Sequence, residues 1–254
     1  MTRIIIPDNF MGINTAEAYR KVMEESKKPE TQKLEMPVIS SGNYWQVPGV
    51  EYRNGIYTVN LLKTLLDNGE TKPQDEWIEY SLEARKKGEF YTGSMPFQYS
   101  LFRTLSSQEI PEALEAREFI KKQMREKWLM TTTRLRYNPS GKDEIIHDYK
   151  MPDEFSFNVD LVGKDKLIEQ NDAGVLEALL LDSDANRVNK VFNSINGTNA
   201  YIWRLNSKPK QRDERVARFD AGSGGALLNC NWDPSLRYSS LGVYVVSEAG
   251  GNAS

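Results

Sequence analysis

The chain has a single cysteine, Cys230, and a single histidine, His147, among its 254 residues. One cysteine excludes an intrachain disulfide and a thiolate metal cluster. One histidine leaves one way to build a Ser-His-Asp relay. His147 lies beside Asp148 in the return strand of an expected hairpin, with no nucleophile elbow near it. The expectation is a surface or hairpin-packing histidine, and no catalytic residue is assigned. No apolar run approaches the ~20 residues of a membrane span. The opening MTRIIIPD is too short in apolar residues for a signal segment. A cytoplasmic protein is therefore expected unless a non-classical route displays it. Net charge is −3, which offers no general attraction to nucleic acid or to an anionic membrane.

What is present reads as a globular domain. Charged residues are 27% and hydrophobic residues 39% of the chain, and its length suffices to bury a core without staples. The first half reads mostly helical. Asn14 caps a helix over 15–25, a polar connector follows over 27–37, and 56–66 reads as a short apolar helix stopped by Asn68-Gly69. The clearest helix covers 73–87, with Pro73 in its first turn, Asp75 and Glu76 at its positive end, Arg85, Lys86 and Lys87 at its negative end, and Gly88 at its exit. Ser94-Met95-Pro96 opens another helix through Leu105. Pro111 opens the next, whose apolar positions run from Ile110 and Leu114 to Met124 and Trp128.

The period then changes. LMTTTRLRY (129–137) alternates as a strand, Asn138 to Gly141 turn the chain, and 144–149 pairs back. Residues 172–181 read as a buried helix and 184–195 as another, stopped at Asn196-Gly197. From Tyr201 onward the chain reads as β: AYIWRL, VARF, ALLNC and LGVYVV. With no internal repeat and no low-complexity linker, one α+β domain spanning 1–254 is the economical reading.

Several motifs fail their own chemistry. Asp182-Ser-Asp-Ala-Asn186 begins like an EF-hand loop but has Arg187 where that loop needs glycine and Asn193 where it needs glutamate. Paired carboxylates at 75/76, 143/144 and 153/154 sit at helix starts or turns. The glycines of 220–225 lead into a strand and not a helix, which argues for a turn and against a phosphate cradle. The basic run Arg204, Lys208, Lys210, Arg212, Arg215 and Arg218, with Trp203 near it, reads as a solvated loop. No metal site, cofactor or nucleic-acid partner is expected. Sequons at Asn196 and Asn252 carry little weight without secretion.

One stretch asks for another explanation. NWDPSLRYSS (231–240) has neither helical nor strand period, yet it carries Trp232, Leu236, Arg237 and Tyr238 between two core strands. Aromatics mixed with Arg, Asn, Ser and Asp form the composition of a recognition surface. If Ala226, Leu228 and Cys230 face the core, Leu227, Asn229 and Asn231 face outward. The expected ligand-binding set is Arg218, Phe219, Leu227, Asn229, Asn231, Trp232, Asp233, Leu236, Arg237, Tyr238 and Tyr244, taken as one patch on two neighbouring strands and the loop between them.

The segment YIWRLNSKP…DERVARFDAGSGGALLNCNWDPSLRYSSLGVYVV resembles the variable region of diversity-generating retroelement variable proteins, and most of all their archaeal, nanoarchaeal-type members. The resemblance is most specific over 201–246, and DEWIEYSLEARKKGEFYTGSMP (75–96) shares in it. It implies a C-type lectin-like fold carrying a hypervariable ligand-binding surface on a fixed scaffold. The implied function is non-enzymatic recognition of varied targets, a protein or a cell-surface molecule. In such systems adenines of a template copy mutate during reverse transcription. Leu227, Asn229, Asn231, Asp233 and Tyr238 are reachable from an Asn codon by that route. Trp232 is not, because its codon ends in G. Asn231-Trp232-Asp233 is a scrambled echo of a calcium-site Trp-Asn-Asp, and one cysteine cannot support formylglycine generation. A carbohydrate-binding lectin or a small-molecule enzyme on a related scaffold is the alternative.

Overall fold

The computed structural model describes residues 36–248 and, before them, the dipeptides Asn9–Phe10 (β1) and Ile13–Asn14 (β2), which pair antiparallel. Residues 1–35 cluster as one unit and residues 36–254 as a second, which holds everything described below. The helix expected over 15–25 falls outside the described residues.

The second unit is α+β. It begins with β3 (Ile39–Ser41), β4 (Tyr44–Tyr52) and β5 (Gly55–Leu65), then α1 (Gln74–Lys87), α2 (Met95–Ser106) and α3 (Pro111–Glu126). Next come β6 (Leu129–Tyr137), β7 (Asp143–His147), β8 (Phe155–Val159), β9 (Lys166–Leu167), α4 (Ala173–Leu180) and α5 (Ala185–Asn196). The chain closes with β10 (Tyr201–Trp203), β11 (Asp213–Gly222), β12 (Gly225–Trp232) and β13 (Leu241–Glu248). The strands form a four-stranded sheet, β13-β5-β4-β3, and a seven-stranded sheet, β8-β7-β6-β11-β12-β10-β9. Every pairing is antiparallel except β10 with β12. No break falls between 130 and 160, because β6, β7 and β8 are consecutive neighbours in one sheet.

The helices follow their local signals. Pro73 precedes α1, and Gly88 ends it in the left-handed region at φ 69°, with its N–H on the carbonyls of Ala84 and Arg85. Asp184 caps α5 by accepting from the N–H groups of Asn186 and Arg187. α2 is buried on most of its faces, from Met95 through Phe102 and Leu105. Such a helix belongs in a protein's interior, and α2 touches both sheets and the helices α3, α4 and α5.

The helical reading of 56–66 is corrected. Residues 55–65 are β5, paired with β4 on one side and β13 on the other, and Leu66 opens a short 3-10 turn. Val59, Asn60, Leu61 and Leu62 are all buried, and a central strand covered on both faces shows a continuous apolar run that periodicity cannot tell from a helix. β4 was hidden by Pro48-Gly49. These two residues sit where the β4–β5 register slips between Val47 and Val50, and Gly49 holds φ 77° there. A bulge tolerates a proline that a regular central strand would not. Among the described residues of the first half, the strands β3 to β5 therefore stand beside the helices α1 to α3.

His147 is fully buried. Its Nε2 lies 2.8 Å from the Ala178 carbonyl oxygen, which can only accept, so Nε2 carries the proton. Nδ1 then accepts from Thr133 Oγ1 at 2.9 Å. Burial lowers the imidazole pKa from 6.5 to about 4, against the opposing hydrogen bond to Ala178. The folded state therefore binds this proton less readily than the unfolded chain. The stability so gained is complete above about pH 6.5 and is lost as pH falls toward 4, a loss of about 3 kcal/mol. Urea denaturation at pH 7 and pH 4.5 measures it, and His147→Gln should flatten that part of the profile. A pH dependence unchanged by the substitution would contradict the assignment.

Candidate functional site

β11 and β12 close as a tight hairpin with Gly222 opposite Gly225. Gly225 has φ 112°, and a Cβ there would overlap the Thr198 side chain. Only glycine fits, so the glycine-rich 220–225 stretch is a turn and not a phosphate cradle. On the inward face of β12, Ala226, Leu228 and Cys230 are fully buried. Burial pushes the Cys230 thiol up to about 12, which leaves it protonated and unreactive.

The outward face is set by register. Trp203 of β10 pairs with Asn229 of β12, and Asn229 pairs with Arg218 of β11. One step along, Tyr201, Leu227 and Asp220 form a second row. Between Val216 and Arg218 the ladder slips: β12 advances from Trp232 to Asn229, one residue more than β11, and β6 advances from Arg134 to Met130, two more. The slip reorients the Trp232 side chain. Strict alternation from Leu228 and Cys230 would turn Trp232 toward the core, but the extra residue pairs it with Val216 and turns it to the Arg218 side.

Three rings close around Arg218. Its Cζ lies 3.7 Å from the Trp232 ring centroid, 4.6 Å from Tyr238 and 5.0 Å from Trp128. Beneath the rings, Arg218 Nη2 pairs with Asp220 Oδ2 at 2.8 Å, and Asn229 Nδ2 donates to the same oxygen at 3.0 Å. Burial raises the Asp220 carboxyl pKa, and the Arg218 charge opposes the rise. At the rim, Leu236 is 44% exposed, and Arg237 reaches Glu76 at 3.2 Å with both side chains about half exposed.

The irregular 231–240 stretch is held by hydrogen bonds to other segments. Tyr238 exchanges both backbone bonds with Lys72 at 3.1 Å, and the Pro234 carbonyl accepts from Gln74 N at 3.1 Å. Trp77 Nε1 donates to the Tyr238 carbonyl at 2.7 Å. Ser239 Oγ donates to Gly69 O and Ser240 Oγ to Met130 O. Asp233 Oδ1 accepts from the N–H and hydroxyl of Ser235, which lowers its carboxyl pKa. The loop has no period because its partners are not its neighbours in sequence, and Tyr238 and Trp232 take fixed places through it.

The structure brings most of the expected set together and corrects part of it. Phe219 is fully buried between Phe102 and Phe192, at ring distances of 5.0 and 5.9 Å. Adjacent strand residues point to opposite faces, so Phe219 cannot share a face with Arg218. Arg218 and Asn229 do face outward but are closed over by the rings and the Asp220 network, at 2% and 3% exposure. Tyr244 is elsewhere. β13 belongs to the four-stranded sheet and not beside β12, and Tyr244 packs near Phe90 at 6.1 Å. Leu227, Asn231, Asp233, Leu236 and Arg237 remain half-buried or exposed.

Trp128, Tyr201 and Trp203 were missed. Trp128 is the informative one. It holds φ 55° at the end of α3, where its N–H and that of Lys127 both reach the Gln123 carbonyl. Helices place glycine or asparagine in that left-handed position, and a bulky residue there is strained. The signal in sequence is a tryptophan where the helix should stop. Trp128→Gly should leave stability within about 1 kcal/mol of the parent, because relieving the backbone offsets the lost ring contacts. Thermal denaturation checks this, and a drop of several kcal/mol would show that Trp128 is a packing residue.

Elsewhere the structure places the residues of other motifs. Arg204, Lys208, Arg215 and Arg218 of the basic run each pair with an acid: Asp172, Asp143, Asp213 and Asp220. Asp182 is buried and receives Tyr99 Oη and the Arg187 guanidinium. No metal-binding cluster occurs among the described residues. Asn196 is buried with its amide against Met124, so a glycan cannot reach it in the folded chain, and Asn252 lies outside the described residues. No helix among the described residues is long and apolar enough to cross a membrane.

A separate cavity of about 200 Å³ is lined by Tyr52, Tyr57, Arg85, Tyr91, Phe97 and Asp148, among others. Burial raises the Asp148 carboxyl pKa against the pull of Arg85, and pushes the Tyr91 phenol up to about 12. Asp148 already receives Tyr52 Oη, Ser94 Oγ and Thr132 Oγ1, each at 3.2 Å, and Arg85 at 3.5 Å. Four donors saturate the carboxylate and give it a structural part.

No protein-family model matches the chain, and neither a curated protein nor a solved structure matches it.

Proposed function

We propose that this protein is a non-enzymatic binding protein whose recognition surface is the aromatic face around Arg218, with Leu227, Asn231, Asp233, Leu236 and Arg237 as its replaceable rim. The observation that carries the reading is the anchoring of 231–240. The segment is held through hydrogen bonds to Lys72, Gln74, Trp77, Gly69 and Met130. Most of those bonds engage its backbone, so rim side chains can change while the main chain keeps its path. That property suits a surface diversified by a retroelement. The pairing of β5 with β13, which brings the strand before the first helix beside the last strand, supports the C-type lectin-like reading of the fold. A rigid surface also keeps the ordering cost of binding low, and a few aromatic and Arg anchors can dominate affinity.

The alternative of a small-molecule binder or enzyme has the Asp148 cavity in its favour. The saturated carboxylate there argues for the aromatic face instead.

Two experiments test the proposal. Downstream DNA should hold a near-copy of the 201–246 coding region, differing at adenines, beside a reverse transcriptase gene; without it the retroelement reading fails. A display library randomised at the five rim positions should yield mostly folded clones and, after selection, binders to protein targets. A library as prone to unfolding as one randomised at Ala226, Leu228 and Cys230 would overturn the fixed-scaffold reading.

A further inference from the structure

Nine buried side-chain nitrogens and oxygens lack a hydrogen-bond partner among the described residues, and four of them lie together on this face: Arg218 Nε, Arg218 Nη1, Trp232 Nε1 and Asp220 Oδ1. Buried polar atoms without partners are costly, and native folds keep few of them. Here three donors and one acceptor fall on three residues already tied by an ion pair and a ring stack. Satisfying all four takes three acceptances and one donation, and a single group that engages one Arg218 donor, Trp232 and Asp220 must accept twice and donate once.

Charge narrows the class. Arg218 and Asp220 neutralise each other, both nearly fully buried. An incoming carboxylate would leave an uncompensated negative charge in a site closed to water, which is unfavourable. A neutral group adds none. A carboxamide has an oxygen with two lone pairs and an NH2 with two donors, and its flat, short stem fits against indole faces. We infer that this face recognises a carboxamide, the side chain of Asn or Gln on a protein target, with its oxygen on Arg218 and Trp232 and its NH2 on Asp220. The inference rests on the binding reading above and names the chemistry of that same site.

Access is through Trp128. Its ring is the most exposed wall of the cage, at 40%, and it stands on a residue that precedes β6 and holds a strained backbone. Entry requires its side chain to turn and open that wall of the cage, with Trp232 and Tyr238 left in place.

The test uses the full chain and three small probes: acetamide, acetate and glucose. Each is titrated separately while the indole N–H resonances are followed by NMR. Acetamide should shift the Trp232 indole resonance saturably, and acetate and glucose should not. Arg218→Lys keeps a charge opposite Asp220 but loses the Nε and Nη1 donors, and should weaken acetamide binding by roughly tenfold or more. If that variant does not fold, Trp232→Phe removes the indole N–H donor and keeps a smaller aromatic ring against Arg218. The Trp128 indole then reports, and weaker binding is again expected. Acetate or glucose binding as tightly as acetamide would overturn the inference in favour of an anion or a polyol. No shift with any probe would also overturn it. If the rim library still yields binders in that case, the inference has failed and the binding reading stands.

Discussion

Arg218→Ala is expected to destabilise the protein by roughly 3–5 kcal/mol, the usual cost of removing one partner from a buried ion pair. Arg218 and Asp220 are both nearly fully buried, 2.8 Å apart. Truncating Arg218 leaves the Asp220 carboxylate with only Asn229 beside it and takes the cation from between Trp128, Trp232 and Tyr238. Burial already raises the Asp220 pKa, and Arg218 is the chief force against that rise. Without it the folded-state pKa climbs further above the unfolded value. The folded variant then binds a proton more readily than its unfolded chain, and the variant should regain stability as pH falls through that raised pKa. Asp220→Asn in the same chain should restore a large part of the loss at neutral pH. Urea denaturation of the two single variants and the double variant forms the cycle that measures this coupling. A loss below about 1 kcal/mol for Arg218→Ala, or strict additivity in the cycle, would show that the pair holds nothing together.

Val243→Asp should abolish folding, while rim substitutions should hardly be felt. Val243 is fully buried and exchanges both backbone hydrogen bonds with Tyr91 at 2.9 Å. A carboxylate there enters the main core, and burying a charge in it costs an amount comparable to the roughly 5–15 kcal/mol by which a domain of this size is stable. Leu228→Ala, also fully buried, should cost roughly 2–5 kcal/mol. Asn231→Ser, Leu236→Ser and Arg237→Ser should each stay within about 0.5 kcal/mol. The exposed Arg237–Glu76 pair adds little. Tyr238→Asn does not belong with the rim, although the composition of the loop groups it there. Its ring lines the Arg218 cage and touches both tryptophans, so a loss beyond the rim range is expected. Expression yield, circular dichroism and melting temperature across the series separate the groups. Core and rim variants behaving alike would refute the assignment of faces.

Local chemistry made much of the fold legible. Pro73 and Gly88 bracket α1, Pro111 opens α3, and Asp184 caps α5, because capping depends on residues within one turn. The alternation of ALLNC places Ala226, Leu228 and Cys230 in the core, because successive strand side chains oppose one another. The aromatic composition of 231–240 marked a surface worth building. The same local rule, applied consistently, would have kept Phe219 off the surface once Arg218 was placed on it.

By itself, then, the sequence determined the helices from α1 onward, the C-terminal strands, the inward face of β12 and the exclusion of an intrachain disulfide. The tertiary structure alone decided that 55–65 is a central strand and not a helix, because its partners β4 and β13 lie on either side of it in space and β13 is far off in sequence. It alone decided that Trp232 faces Arg218, because a one-residue slip against β11 reverses the face of every later side chain. It also brought Trp128 from the end of α3 onto the same cation and sent Tyr244 to the other sheet. Caps and periods are written within a few residues, but register, bulges and the meeting of distant strands depend on which partner each edge finds.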